Sequence, residues 1–532
     1  MIRYLLLLLF CFSITSTYAW DIVPKPKSER MEAGLCSLNP TWKWMVGPDS
    51  ADEVRKMYKQ FERWADTTAT GYFKPLESFE ACPRVVKIQI KNLPKMAAEA
   101  YQLEIKKGEI ILSARTIRGL FYGMQSLKQL VFPLFKEKKS FHCGLILDEP
   151  RFVWRGMHLD VSRHFFTIKE VECYLEMMAL HKFNVFHWHL TDDQGWRLEI
   201  KAFPRLTTIG AFRTQTVNGH YRDKPWTYDG KPHGGFYTQE EVKKLVQFAA
   251  DRMITVVPEI EMPGHCQEMI AAYPELASVD SLAKVMTVWG GTNHILNPFP
   301  PTFRFLEKVL DETMAMFSSA YIHIGGDEAL KKQWRANPKI QKFKDSLGLK
   351  NEDELQSWFI RQIDKYLVSK GRILMGWDEI LEGGLAENAA VMSWRGEKGG
   401  IAAAKLKHAV VMSPGNFCYF DKYQFEPKKE EPLAIGGLVT LEKVYSYEPL
   451  PAELSPDQKK YILGAQANVW TEYIPTFSQV QYMCLPRMAA LSEVVWSPPD
   501  KDYLAFKKRL PGLCKIYSAQ GWTWCRKEFK VQ

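Results

Sequence analysis

The chain has 532 residues, of which 46% are apolar and 25% are charged, which is ordinary for a globular protein of two or three domains. This composition excludes a disordered chain, a collagen-like repeat and a polytopic membrane protein. The net charge is +9, but the Lys and Arg residues are scattered among acidic ones. Without a basic block, the sequence argues against a nucleic-acid-binding protein.

The first 19 residues are typical of a secretory signal peptide. Arg3 precedes an apolar run over residues 4–14, and cleavage is expected after Ala19. The run is too short to anchor the chain in a bilayer, and no later stretch is long and apolar enough for a transmembrane segment. We therefore predict export, to the periplasm or out of the cell.

Nine cysteines follow the predicted signal peptide, and none forms a Cys-x-x-Cys pair. This argues against a zinc ribbon or a thioredoxin-type site. Export would permit disulfides, and Cys514 with Cys525 is the most local candidate pair.

Residues 20–150 predict a small, non-catalytic α/β domain. The stretches 85–93 and 101–114 alternate apolar and polar residues, which favours strands, with a turn at Lys107-Gly108. Residues 116–131 have the apolar spacing of a helix. Nothing in this part of the chain points to chemistry.

Residues 151–498 predict a (β/α)8 barrel, because eight apolar, β-rich runs are each followed by a helical segment. The runs are 155–161, 184–190, 254–261, 321–328, 372–379, 390–396, 409–414 and 462–470. Residues 499–532 predict a closing helix and a tail. In this fold the active site lies where the strands end. Polar or aromatic residues stand at nearly every one of those ends, namely Asp160, Asp192, Glu261, Asp327, Glu328, Trp377, Asp378, Trp394 and Trp470.

The sharpest chemical signal is the acid pair Asp327-Glu328, which follows Gly325-Gly326 at the end of the fourth predicted strand. The glycines let the backbone turn, so that both acids can approach one ligand. Adjacent carboxyls also couple: one ionises readily while the other keeps its proton, as a general acid requires. The octapeptide alone leaves open a second interpretation, a helix-capping Asp beside a solvated Glu.

His187 and His189 admit a metal interpretation. They alternate on one predicted strand and face the same side, a spacing used by metal-dependent amidohydrolases on a barrel. His265 is the only other good ligand candidate, and strands five to eight carry no histidine. We therefore favour core or supporting histidines over metal ligands. Asp192 with His265 would instead form a carboxylate–imidazole pair that tunes a neighbouring acid.

The chain resembles glycoside hydrolase family 20, the β-N-acetylhexosaminidases, and is most similar to secreted bacterial members. The motifs that carry the resemblance are, in chain order, HFFTIKEVECYLEMMALHKFNVFHWHLTDDQGWRLEI, VVPEIEMPGH, YIHIGGDE, GWDEILEGGL, VMSWRGE and ANVWTEY. The similarity runs from about residue 20 to about residue 498. It implies an exo-acting hydrolase of glycans that end in N-acetylhexosamine, with no cofactor and no metal.

The resemblance implies a retaining, substrate-assisted mechanism, which is an exception to the usual two-carboxylate scheme. Glu328 would be the general acid and base. Asp327 would bind the substrate's acetamido N–H and stabilise the oxazolinium-like intermediate. Tyr419 would hold the acetamido oxygen in line for its attack on the anomeric carbon.

The remaining implied roles concern the pocket around the sugar. Asp192 and His265 match a pair that supports the acid/base, while Asp193 is interpreted as a structural neighbour. The substrate-binding set comprises three aromatic walls, an arginine for the C3 and C4 hydroxyls, and two carboxyls at the C4 and C6 end, namely Trp377, Trp394, Trp470, Arg163, Glu472 and Asp421.

Three alternatives stay open. A lacto-N-biosidase-like enzyme that releases a disaccharide would need a pocket open beyond the C4 and C6 hydroxyls, and Glu472 argues against that. A metal-dependent amidohydrolase would use His187 and His189. A non-catalytic glycan-binding protein on a degenerate barrel is disfavoured because the acid pair and Tyr419 are present. The stretches 218–232 and 422–432 predict loops that shape the region beyond the first sugar.

Overall fold

The computed structural model describes residues 20–37, 43–46, 52–68, 74–75, 85–91, 93–137, 140–280 and 282–529. The predicted signal peptide and Cys82 lie outside these residues. Among the described residues, no helix has the length and apolar character needed to cross a membrane.

The N-terminal part of the chain forms a seven-stranded mixed sheet covered by two helices. Its strands are β1 Ser28–Cys36, β2 Lys43–Val46, β3 Lys74–Pro75, β4 Val85–Ile90, β5 Tyr101–Lys106, β6 Glu109–Ala114 and β7 Phe141–Asp148, in the order β1-β7-β5-β6-β4-β2-β3. The helices are α1 Asp52–Thr68 and α2 Ile117–Glu137. The predicted strands are confirmed as β4, β5 and β6, the last two joined by the predicted turn, and the predicted helix is confirmed as α2.

A closed barrel of eight parallel strands follows, as predicted. Between its second and third strands lie two short two-stranded sheets, so the strands in chain order are β8 Trp154–Asp160, β9 Val185–His189, β10 Thr191–Asp192, β11 Gly195–Trp196, β12 Phe212–Arg213, β13 His233–Gly234, β14 Thr255–Glu259, β15 Tyr321–His323, β16 Ile373–Trp377, β17 Ala390–Ser393, β18 Val410–Met412 and β19 Ile462–Ala467. The barrel closes in the order β14-β15-β16-β17-β18-β19-β8-β9. Six of these strands end two to five residues before the predicted runs do, and those residues turn into the mouth of the barrel.

Helices surround the barrel and continue past it. They are α3 Ile168–Leu180, α4 Gln239–Ala250, α5 Gln267–Ala272, α6 Pro300–Met316, α7 Lys332–Ala336, α8 Pro338–Ser346, α9 Glu352–Ser369, α10 Lys398–Lys405, α11 Leu441–Ser446, α12 Pro456–Lys459, α13 Phe477–Cys484, α14 Arg487–Trp496 and α15 Tyr503–Ala519. The predicted closing helix is α15. Thr167 and Thr238 begin α3 and α4 with full capping boxes, which satisfy the first backbone N–H groups.

The suggested disulfide between Cys514 and Cys525 is not formed. Both are unpaired, as are the other six described cysteines. Cys525 instead donates to the Tyr482 hydroxyl at 3.4 Å, and its backbone N–H is bonded to the Leu485 carbonyl at 2.9 Å. Proximity in sequence was a poor guide, because the bonds of Cys525 go to Tyr482 in α13 and to Leu485 just after it.

Buried ion pairs join the N-terminal sheet to the barrel. The ammonium of Lys182 lies 2.9 Å from a carboxylate oxygen of Asp148, and both side chains are fully buried. Tyr101 and Trp496 donate to the same carboxylate at 2.6 and 2.9 Å. With every oxygen bonded, the Asp148 charge is satisfied away from water, so the sheet and the barrel share one buried interface.

Candidate active site

A cavity of about 610 Å³ opens at the carboxyl ends of the barrel strands. Ten of the eleven predicted site residues line it, namely Arg163, His265, Asp327, Glu328, Trp377, Trp394, Tyr419, Asp421, Trp470 and Glu472. The eleventh, Asp192, lies behind the wall and contacts two of them. The ten lining residues stand at the ends of seven of the eight barrel strands or beyond them, and Asp192 follows the remaining strand, β9.

The acid pair is aimed by its two glycines. Gly325 and Gly326 have φ values of +65° and +86°, which L-residues rarely adopt. A Cβ atom at Gly325 would also stand 1.7 Å from Oε2 of Glu261, so no side chain fits there. Glu328 itself has a φ of +43°. The chain reverses here, and both carboxyl groups face the cavity.

Helix capping does not explain the acid pair. The next helix, α7, begins at Lys332 and is preceded by Lys331, so Asp327 is not its capping residue. Both acids instead face one imidazole: Nε2 of His265 is 3.7 Å from Asp327 Oδ2 and 3.6 Å from Glu328 Oε2.

The pKa values of the two acids differ, and their order is the reverse of the expectation that Glu328 keeps its proton. Burial raises the pKa of Asp327 to about 6. The imidazole of His265, 3.6 Å away, lowers the pKa of Glu328, whose side chain is 50% exposed against 13% for Asp327. In the open cavity Asp327 is therefore the acid that holds its proton to higher pH.

His265 is a cation held by carboxylates. Burial opposes its charge, but Asp192 raises the pKa of His265 well above its usual value. Its Nδ1 lies 3.1 Å from Asp192 Oδ1 and 3.4 Å from Asp193 Oδ2. Asp192 also binds Nη2 of Arg163 at 2.7 Å. Despite burial, that guanidinium lowers the pKa of Asp192, which is thus a fixed anion behind the acid pair.

Buried carboxyls hold two of the indole walls. Nε1 of Trp377 donates to Glu259 Oε1 at 2.8 Å, and Nε1 of Trp394 donates to Glu379 Oε2 at 2.9 Å. Burial, and then the nearby Asp327, raise the pKa of Glu379 to about 8. Tyr419 is stacked against Trp394, with ring centroids 6.0 Å apart and ring planes inclined by 21°.

The third indole forms a wall beside the charged end of the cavity. The guanidinium of Arg163 lies 5.1 Å from the Trp470 ring, and its Nη1 is 3.9 Å from Glu472 Oε1. Burial, and then Glu472, raise the pKa of Asp421 to about 7. Its Oδ1 is buried without a hydrogen-bond partner among the described residues. This end of the cavity therefore offers both donors and acceptors to hydroxyl groups.

Sequence reasoning missed several residues of this site. Glu259 and Glu261 alternate in the motif VVPEIEMPGH, so their shared face was readable, but no role was assigned to either. Glu379 stands two residues after Trp377 in the motif GWDEI and could have been found in the same way. Tyr221 and Trp289 also line the cavity. They come from loops between elements, where no periodic signal exists, although Tyr221 falls within the predicted loop 218–232.

His187 and His189, which were considered as metal ligands, lie inside the barrel, whereas the third candidate, His265, lines the cavity. Three buried sets do bring three donor atoms within 4.8 Å of one another, namely His158 with His187 and Glu259, His189 with Asp192 and Glu261, and Asp192 with Asp193 and His265. Both nitrogens of His189 are already taken, by Glu259 at 2.6 Å and by Asp192 at 2.8 Å. A hydrogen-bond network inside the barrel thus accounts for both nitrogens of His189.

A barrel cavity that combines a carboxyl pair, indole walls and an Arg–Glu end is suited to a sugar ring, which presents apolar faces and polar edges. Comparison with known families agrees. Residues 152–499 match "Glycosyl hydrolase family 20, catalytic domain", and residues 19–149 match "Glycosyl hydrolase family 20, domain 2". The chain belongs to glycosyl hydrolase family 20.

The chain is also similar to individual proteins of known name and structure. A Beta-hexosaminidase from Porphyromonas gingivalis is 44% identical over 444 residues, which are 82% of this chain and 56% of that protein. A Beta-hexosaminidase from Akkermansia muciniphila is 32% identical, over 79% of this chain and 84% of its own. The crystal structure of the GH20 exo β-N-acetylglucosaminidase from Vibrio harveyi in complex with N-acetylglucosamine aligns with a TM-score of 0.82 at 29% identity, covering 96% of this chain and 79% of that one. This chain spans little more than half of the Porphyromonas relative.

Proposed function

We propose that the protein is an exo-acting β-N-acetylhexosaminidase, which removes a terminal β-linked GlcNAc or GalNAc from the non-reducing end of a glycan or chitooligosaccharide. The observation that carries the proposal is one cavity in which Asp327, Glu328 and Tyr419 meet between three indole walls. Family membership and the names of the relatives support it. The predicted signal peptide would place this activity in the periplasm or outside the cell.

The nucleophile in this proposal belongs to the substrate. An ordinary retaining glycosidase holds its nucleophile and its acid about 5–5.5 Å apart on either side of the scissile bond. Here the acids are neighbours in the chain and face the same imidazole nitrogen. We therefore assign the attack to the acetamido oxygen, which bonds to the anomeric carbon as the glycosidic C–O bond breaks. In the oxazolinium ion that results, the acetamido oxygen covers one face of the anomeric carbon. Water can then attack the other face, from which the leaving group departed.

Tyr419 and Asp327 would hold the acetamido group from its two ends. Burial raises the pKa of Tyr419 well above its usual value, so its hydroxyl stays protonated and can donate to the acetamido oxygen. Asp327 would accept from the acetamido N–H and, once ionised, stabilise the positive charge that develops. The indole walls exclude water, which strengthens both interactions.

The proton for the leaving oxygen would be shared between His265 and Glu328. In the open cavity His265 is the cation and Glu328 the anion. A sugar that covers the half-exposed Glu328 removes its solvent and so raises its proton affinity. The proton then moves to Glu328 and on to the leaving oxygen. Water attacks the anomeric carbon in the second step and returns a proton to Glu328.

The cavity is closed at the end beside Glu472, which supports release of a single sugar over release of a disaccharide. Beside Glu472, the hydroxyl of Tyr473 accepts from the backbone N–H of Tyr221 at 3.1 Å. The His220 ring lies parallel to that of Tyr473, with centroids 5.1 Å apart. These contacts fasten the loop carrying Tyr221 across the end where the C4 and C6 hydroxyls would lie, so a further sugar would collide with it.

The proposal is tested first with Glu328→Gln. We expect loss of about 10²–10⁴-fold in kcat on chitobiose, because the variant cannot protonate the leaving oxygen. An aryl β-N-acetylglucosaminide with a very good leaving group should lose far less in its first step. Glu387→Gln, which changes an exposed carboxyl remote from the cavity, is the matched control and should retain full activity. Hydrolysis of chitobiose by Glu328→Gln at the wild-type rate would contradict the proposal.

The assignment of the nucleophile has its own test. Aryl substrates whose acetamido methyl carries one, two or three fluorines have a progressively poorer carbonyl nucleophile, so kcat should fall steeply along the series. A thiazoline that mimics the oxazoline should inhibit strongly. A flat series, together with a trapped glycosyl ester on a protein side chain, would assign the nucleophile to the enzyme instead.

A further inference from the structure

Glu259, the last residue of β14, binds several imidazoles inside the barrel, directly beneath the cavity. Its carboxylate is fully buried. Its Oε2 lies 2.6 Å from His189 Nδ1 and 3.1 Å from His187 Nε2, and its Oε1 lies 2.8 Å from His323 Nδ1. A carboxylate so far from water persists only if its partners compensate its lost hydration.

Two of the contacts of Glu259 lead out to the cavity. Through His189 it reaches Asp192, because Nε2 of His189 lies 2.8 Å from Asp192 Oδ2. Asp192 in turn holds Nδ1 of His265 at 3.1 Å. Through its other oxygen, Glu259 accepts from the indole N–H of Trp377 at 2.8 Å, which fixes one wall of the cavity.

The contact of Glu259 with His187 does not lead to the cavity. His187 touches the same Glu259 oxygen as His189 does, but its other nitrogen accepts from Nε2 of Gln466 at 2.9 Å. It makes no described hydrogen bond to Asp192. His187 and His189 are thus two equally buried imidazoles from one strand, of which only one bridges Glu259 to Asp192.

The two imidazoles also differ in charge. Although burial opposes it, the Glu259 carboxylate raises the pKa of His189 to about 10, so His189 is a cation. Burial lowers the pKa of His187 to about 4, so His187 is neutral. The charged or titratable groups that face this pair and the neighbouring His265 are His158, Arg163, Asp192, Asp193, Glu259, Glu261, His323, Asp327 and Glu328.

We propose that Glu259 is a positioning residue for the acid/base: acting through His189 it orients Asp192 and His265, and acting through Trp377 it orients a wall of the sugar cavity. The inference rests on the proposed function. Glu259 touches neither substrate nor reacting atoms; it fixes the groups that do. One buried carboxylate thereby sets the position of the proton donor and of the acetamido pocket together.

The decisive experiment compares His189→Gln with His187→Gln. We expect His189→Gln to lower kcat by about 10–100-fold, the usual cost of losing such a supporting contact, with little change in KM. The alkaline limb of its pH–kcat profile should move to higher pH, because removing the His189 cation lets His265 hold its proton longer. His187→Gln should stay within about threefold of the wild type with an unshifted profile, since no charge is lost.

The Glu259→Gln variant tests the inference at the carboxylate itself. Glu259→Gln, if folded by its thermal unfolding, should lower kcat as His189→Gln does and should also weaken binding of an acetamido-pocket ligand such as the thiazoline, through Trp377. If Glu259→Gln does not fold, the two histidine variants still decide. Equal losses in both histidine variants, or a folded Glu259→Gln with wild-type kcat, would overturn the inference. Such results alongside an inactive Glu328→Gln would leave the proposed function standing, whereas an active Glu328→Gln would remove its basis.

Discussion

Asp327 and Glu328 are adjacent in the chain but ionise over different pH ranges, because one is buried and the other faces solvent and His265. The proposed chemistry requires Asp327 to be an anion opposite the positive intermediate. The pKa of Asp327 is raised to about 6, so the carboxyl gains a proton as the pH falls through that value. We therefore expect kcat/KM of the free enzyme to fall below about pH 6, with one proton taken up.

Asp327→Asn tests this assignment. The variant keeps the shape of the side chain but cannot ionise, so the acid limb near pH 6 should vanish and kcat/KM should fall by about 10²–10³-fold. Asp421→Asn is the matched control, because Asp421 is a second cavity carboxyl, with a pKa raised to about 7, and its loss should leave the limb near pH 6 in place. A limb that survives in Asp327→Asn but disappears in Asp421→Asn would reassign the titration.

At the scale of single residues, the sequence predicted which side chains form the site better than it predicted their protonation states. The motifs predicted ten side chains that do line the cavity, because each stands at or just beyond a strand end. They could not predict which acid of the pair holds its proton. That depends on His265 and on burial by residues far away in the chain, and neither leaves a mark on the local pattern.

The turn between β15 and the acid pair is the element whose geometry is least tolerant of change. Gly325→Ala would place a methyl group 1.7 Å from a carboxylate oxygen of Glu261 at a φ of +65°. We expect a loss of about 2–5 kcal/mol in the free energy of unfolding, from overpacking and a left-handed residue together, with loss of activity. Urea unfolding followed by fluorescence gives the first quantity, and hydrolysis of an aryl substrate gives the second.

Gly512→Ala in α15 is the control for that change. Its added Cβ would meet its nearest atom at 3.9 Å, an ordinary contact, and the residue is inside a helix, where Ala is preferred to Gly. Its stability should equal or slightly exceed that of the wild type. A Gly325→Ala protein as stable as Gly512→Ala would show that the turn can relax around the added methyl group.

Elements with a strong repeating pattern were predicted, and those without one were not. All eight barrel strands carry apolar runs and were found. β1 was missed because most of its residues are exposed and charged or small, so it lacks alternation. The lengths of the barrel strands were overestimated for a related reason: the apolar and aromatic run continues past the last ladder bond into the residues that build the cavity.

At the scale of the whole molecule, the buried pair of Lys182 and Asp148 ties the N-terminal sheet to the barrel. Lys182→Ala would leave the Asp148 carboxylate buried without its cation. We expect a loss of about 3–5 kcal/mol in the free energy of unfolding. Thermal or urea unfolding measures it, and barrel activity measured below the transition should survive.

An exposed ion pair provides the comparison for Lys182→Ala. Lys370 pairs with Asp311 at 2.8 Å, and the two side chains are 41% and 46% exposed. Lys370→Ala should cost no more than about 1 kcal/mol, because water replaces the lost partner. Equal effects of the two substitutions would mean that the sheet contributes little to holding the barrel folded. The sequence could predict both parts of the chain but not this contact, since the two partners lie in different units and neither follows a pattern.

His265 and Glu328 have a left-handed backbone, with φ values of +52° and +43°. At these two positions, thermal stability and catalytic activity make opposite demands. Such conformations cost a non-glycine residue on the order of 1–3 kcal/mol, and here the cost falls on two of the groups that handle the proton. Selection for heat resistance alone would thus favour glycine or asparagine at these positions and yield robust but inert proteins. Screens for a hardier catalyst should hold both positions constant and seek gains elsewhere.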